Sequence, residues 1–156
     1  MRNLALTAFL LILAALGSST AAAERTVNQT IDETLGDHVA YERVIRATQK
    51  AIAARDAAAL AALVRYPIKV EIRGRARTIA TPAAFVAHYD QIITPAIARV
   101  VLAESYNDLF VNYQGVMFGQ GEIWIGGVCH DDACRNPEVK IITIQSRSPL
   151  SPSASH

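Results

Sequence analysis

The chain has 156 residues with 15 basic against 14 acidic side chains, so it lacks the basic excess that nucleic-acid binding or a polybasic membrane contact exploits. Apolar residues make up 51%, enough for a hydrophobic core, and the length suits one domain rather than two.

Arg2 leads into an apolar run from Leu4 to Leu16, followed by Ala21-Ala22-Ala23 ahead of Glu24. The run is shorter than the roughly 20 residues a membrane span requires, and Ala21 and Ala23 form the small-x-small pattern that signal peptidase accepts. Residues 1–23 are therefore expected to be a signal peptide cleaved near Ala23. This predicts a periplasmic or secreted mature protein with no stable membrane anchor. Arg2 is the one basic residue of that segment, so removing it leaves acidic and basic groups in equal number.

Residues 24–36 are mixed and polar and read as a loosely ordered lead-in. The single domain is expected over 37–146. Asp37 is a fitting N-cap for a helix whose buried face is Tyr41, Val44, Ile45, Thr48 and Ile52. Asp56 caps a shorter helix carrying Leu60, Leu63 and Val64, which Pro67 stops. Ile68, Val70 and Ile72 then alternate with Lys69, Glu71 and Arg73, the period of a strand with one wet face; Gly74 turns the chain, and residues 75–80 return as its hairpin partner. Thr81-Pro82 and Thr94-Pro95 both place a capping threonine before a proline at the first helical position. Leu109 to Phe118, Glu122 to Val128 and Glu138 to Ser146 are the last three strands, the first two joined as a hairpin. Residues 147–156 have the composition of a disordered tail. Helices followed by segregated antiparallel strands predict the α+β class, a curved antiparallel sheet wrapped around N-terminal helices.

This order of elements, and within it the stretch Leu109-Phe110-Val111-Asn112-Tyr113-Gln114-Gly115-Val116-Met117-Phe118-Gly119-Gln120-Gly121-Glu122-Ile123-Trp124, resembles the nuclear transport factor 2-like superfamily, which includes ketosteroid isomerases and SnoaL-type cyclases. That stretch resembles a hairpin in secreted bacterial proteins of unknown function. The superfamily resemblance implies a cone-shaped, cystatin-like fold in which sheet residues facing the helices line a pocket. Tyr113, Met117 and Trp124, with Tyr66 and Tyr89, are the pocket candidates on that basis; the same side chains also suit a packed core. Val111, Tyr113 and Met117 alternate with Phe110, Asn112, Val116 and Phe118, so both strand faces are apolar, as in a strand covered by helices on one side and a partner on the other.

Cys129-His130-Asp131-Asp132-Ala133-Cys134 concentrates two thiols, an imidazole and two carboxylates. Export favours a disulfide stapling the loop over a metal site, and no metal or other cofactor is expected. Gly115, Gly119 and Gly121 do not form a phosphate loop, because a strand rather than a helix follows them. His88 and Glu122 are the proton-transfer candidates for an enzyme, but no carboxylate falls mid-strand at an inward position, and His88 equally suits a half-exposed helix. Arg73, Arg75 and Arg77 surround the turn at Gly74, where they either receive an anion or form a solvated tip.

Three roles follow. The first is a non-enzymatic exported binding module for a small apolar ligand or a protein partner, an inhibitor or immunity protein among them. The second is an isomerase, cyclase or hydratase with an apolar cone pocket. The third is a structural homodimer packed sheet to sheet.

Overall fold

The computed structural model describes residues 25–135 and 137–146; the expected signal peptide and the expected tail lie outside them. The chain is α+β, with helices leading into open antiparallel sheets.

The expected lead-in is instead a helix, α1 (Val27–Thr34). Thr26 and Gln29 form a reciprocal capping box, the Thr26 Oγ1 accepting from the Gln29 N–H at 3.2 Å while the Thr26 N–H donates to Gln29 Oε1 at 3.0 Å. Val27 and Ile31 lie one turn apart and are buried, so a short polar helix gains two anchors in the core. Helix α2 (His38–Ala53) starts where Asp37 accepts the Val39 N–H at 2.9 Å. It buries Tyr41, Val44, Ile45, Thr48, Ala51 and Ile52. Thr48 reaches the core without an unpaired hydroxyl, because it donates to the Val44 carbonyl at 2.8 Å. Asp56 caps α3 (Ala57–Leu63) through the Ala59 N–H.

Strands β1 (Ile68–Ile72) and β2 (Arg75–Ile79) form an antiparallel ribbon, with Val70 opposite Arg77 and Ile72 opposite Arg75. Arg73 and Gly74 both have positive φ (52° and 73°), the backbone sign of the two-residue turn whose twist matches a hairpin. The helix expected from Thr81 onward divides at His88 into α4 (Pro82–Ala87) and α5 (Tyr89–Ile92). Thr94 then caps α6 (Pro95–Ala103). Each threonine accepts an N–H of the first turn, from Ala84 and from Ile97.

The stretch expected as one strand from Leu109 to Phe118 is two, β3 (Phe110–Asn112) and β4 (Gly115–Phe118). Asn112 causes the break: its Oδ1 accepts the Gln114 N–H at 2.8 Å, an Asx turn that reverses the chain at Tyr113. Strands β5 (Ile123–Val128) and β6 (Glu138–Ile144) complete a four-stranded sheet in the order β3-β4-β5-β6. Trp124 pairs with Thr143 but Ile125 with Ile141, so Ile142 is an extra residue, a β-bulge. The bulge keeps Ile141 and Ile144 both on the core side although they are three residues apart. Beyond β6, Val64 bridges Ile141 in parallel and the Arg65 N–H donates to the Ile141 carbonyl at 2.9 Å, which brings the β1–β2 ribbon alongside the sheet.

The core lies between the helices and one sheet face. Val116 and Phe118 from β4, Ile123 and Ile125 from β5, and Ile141 and Ile144 from β6 meet Ile31, Ile45, Leu60, Phe85 and Val101.

Candidate functional site

Core packing on one side of the sheet decides what the other side carries. Side chains alternate along a strand; with Val116, Phe118, Ile123 and Ile125 inward, Met117 and Trp124 face outward, away from the helices. Register aligns them: Phe110 is opposite Met117, Met117 opposite Trp124, and Trp124 opposite Thr143. One continuous row thus crosses all four strands on the outer face. Phe110 is 51% exposed, and Met117, Trp124 and Thr143 are half-buried. Beside Thr143, a shallow cleft of about 220 Å³ includes Lys69, Glu71 and Ala76 from the ribbon, so the apolar row is bordered by polar groups of both signs.

Met117 and Trp124 therefore sit on the face opposite the one a cone pocket would use. Tyr113 stands at the tip of the β3–β4 turn, 81% exposed. Tyr66 and Tyr89 flank Phe85 edge-on, each with ring centroids 6.4 Å from it. The Tyr66 hydroxyl donates to the Ala61 carbonyl at 3.0 Å, and burial pushes its pKa up to about 12. Burial also raises Tyr89, opposed by the nearby charge of Arg55. Tyr89 borders a surface cleft of about 420 Å³ with Ile52, Ile93 and Leu102, whose rim carries the Arg55–Asp90 ion pair at 2.6 Å. The five tyrosine, methionine and tryptophan candidates thus occupy three separate places: sheet face, turn tip and aromatic core.

The two proton-transfer candidates are also apart. His88 joins α4 to α5 and lines a cleft with Arg73, Arg75 and Arg77. Glu122 is 9% exposed, and its Oε2 accepts the Gln120 N–H at 2.6 Å in the β4–β5 turn. Glu104, which has no local sequence signature, accepts the neighbouring Gly119 N–H at 2.6 Å. Both carboxylates hold the turn's backbone in place, work that an anion close to otherwise unpaired N–H groups does well.

Cys129 and Cys134 stand at disulfide-bonding distance with Cα atoms 4.9 Å apart, inside the range a disulfide needs. In the same loop His130 pairs with Glu138 at 3.1 Å, and Lys140 pairs with Glu138 at 2.8 Å. The Lys140 hydrogen bond, with that of His130, holds the Glu138 carboxyl below its ordinary range. Among the described residues no group of three or more His, Cys, Asp or Glu side chains is arranged to hold a metal ion, and no helix is long and apolar enough to cross a membrane.

Phe110 and Thr143 complete the outer row but were not singled out from sequence. The signal that finds Phe110 is the Asn112 turn: once Tyr113 is a turn residue, strand parity restarts at Gly115 and brings Phe110 level with Met117. Thr143 needs the bulge at Ile142, which has no local signature. No family model, curated protein or solved structure matches the chain.

Proposed function

We propose that this is an exported, non-enzymatic binding module that seats a protein partner on the outer face of its four-stranded sheet, with the cone-shaped architecture of the nuclear transport factor 2-like superfamily. The outer row Phe110–Met117–Trp124–Thr143 carries this reading. Aromatic residues and methionine at the centre of a patch, bordered by a mixed polar rim, match the anatomy of protein interfaces. Lys69 and Glu71 supply both charges at that rim. A small ligand would be enclosed in a concave site, whereas this row lies on a strand face. The helix-facing side that a cone-pocket enzyme would use is filled by Phe85, Phe118 and the isoleucines of β5 and β6. An inhibitor or immunity role, in which the partner is an exported toxin, fits the same surface.

A photo-crosslinking residue placed at Phe110 or at Trp124 in exporting cells tests this. A single heterologous protein should be captured from both positions and not from a control at Ala58, which is exposed on α3. Adducts of twice the chain's own mass would instead establish the homodimer. Equal, diffuse labelling from all three positions would sink the assignment.

A further inference from the structure

The arginine-rich end of the β1–β2 ribbon borders a cleft separate from the outer sheet row. Arg75 and Arg77 lie opposite Ile72 and Val70, on the ribbon face whose β1 residues are buried. His88 and Gln91 approach from the α4–α5 junction, and together with Ile72 and Arg73 these side chains line a cleft of about 360 Å³. Every side-chain polar group on that lining except the imidazole and the Gln91 carbonyl is a pure donor.

The nearby acids are turned elsewhere. Glu71 pairs with Ala76 on the opposite ribbon face. Asp90, two residues beyond His88 in the chain, is held by Arg55 at 2.6 Å. The ion pairs among the described residues engage Arg25, His38, Arg46, Arg55, His130 and Lys140, and leave Arg73, Arg75 and Arg77 with no carboxylate. Three like charges around one concavity repel one another, and that repulsion is relieved when an anion enters. Guanidinium forks match the paired oxygens of a phosphate or a carboxylate.

We infer that this cleft binds a small organic molecule carrying a doubly charged oxyanion group, either a phosphate or a pair of carboxylates. The volume exceeds what a bare ion fills, and the exposed arginine stems over the buried Ile72 offer apolar surface for an organic body. The site shares no residue with the outer sheet row, so it stands or falls separately from the protein-binding reading.

Titration calorimetry of the full chain with inorganic phosphate and with succinate, in low salt, tests it. At least one probe should bind, and the Arg75→Gln/Arg77→Gln double variant should weaken it at least about tenfold, the loss expected when charge-assisted hydrogen bonds are removed. The exposed Arg99→Gln should leave binding unchanged. Phosphate binding alone would mark a phosphorylated ligand, and succinate binding alone a dicarboxylate. The bound probe should also shift the Gln91 side-chain amide resonances in the wild-type protein. Absence of binding by both probes, binding that survives the double substitution in a folded variant, or saturation without a Gln91 shift would overturn the assignment.

Discussion

Glu104 and Glu122 grip one turn from two sides: Glu104 accepts the Gly119 N–H and Glu122 the Gln120 N–H, each at 2.6 Å. One carboxylate arrives from the C-cap of α6 and the other from the residue just before β5, so the β4–β5 hairpin is tied to the helical layer. Glu122→Gln keeps the shape but removes the charge and should cost about 1–2 kcal/mol, the difference between a charged and a neutral acceptor. Gly119→Ala should cost at least as much, because Gly119 has φ +64° and an added Cβ would run into Val100 and the Glu122 carboxylate. Urea midpoints would measure both; unchanged midpoints would mean that solvent satisfies the turn equally well.

Phe85 is fully buried between Tyr66 and Tyr89. Phe85→Ala removes a whole ring from a closely packed site and should destabilise the domain by about 3–5 kcal/mol. Calorimetric unfolding would check it. A loss below about 1 kcal/mol would mean that the helices collapse onto the vacancy.

The Cys129–Cys134 pair closes a loop with a sequence separation of 5. Chain-entropy scaling for so small a ring gives about 2 kcal/mol at most. Unfolding with and without reductant should therefore differ modestly, with the amide-exchange change confined to the loop between β5 and β6. A global loss of structure on reduction would contradict that local role.

High pH should act through the phenols that folding desolvates. Burial raises Tyr41, Tyr66, Tyr89 and Tyr106 above the ordinary value of 10, with Tyr66 at about 12. A phenol whose pKa is raised by folding favours the native state fully below pH 10, and that contribution is lost as pH climbs from about 10 to about 12. Phenolate absorbance should show a late-titrating fraction coincident with unfolding. Tyr66→Phe should flatten the stability decline across that window; an unaltered decline would assign it to the other tyrosines.

Local signals carried well from sequence to fold. Asp37, Asp56, Thr81 and Thr94 each cap the helix their positions announce, because a cap needs only a short side chain and the N–H two or three residues on. The ribbon turn at Gly74 was legible for the same reason. Helix α1 was not: its apolar signal is Val27 and Ile31 alone, and the Thr26–Gln29 capping box is weak evidence without a longer stripe. The faces of the sheet were illegible for a different reason. Strand parity is restarted by the Asn112 turn and shifted by the bulge at Ile142, and each event moves every later side chain across the sheet. The helix-facing pocket for Met117 and Trp124 came from the fold resemblance alone, because alternation along an apolar strand does not say which face is buried.

The pairing of Val64 and Arg65 with Ile141 also governs how the folded molecule meets other molecules of its kind. It occupies part of the second edge of β6; β3 is the other edge strand of the sheet, and β1 and β2 form a separate two-stranded ribbon. Strand β3 offers just three residues for pairing. Strand β2 is longer, but its arginines set like charges against any second copy approaching edge to edge, a barrier that mobile ions screen. Colloidal stability of the native protein should thus decline as salt rises, with the ribbon edge as the place where fibrous association begins.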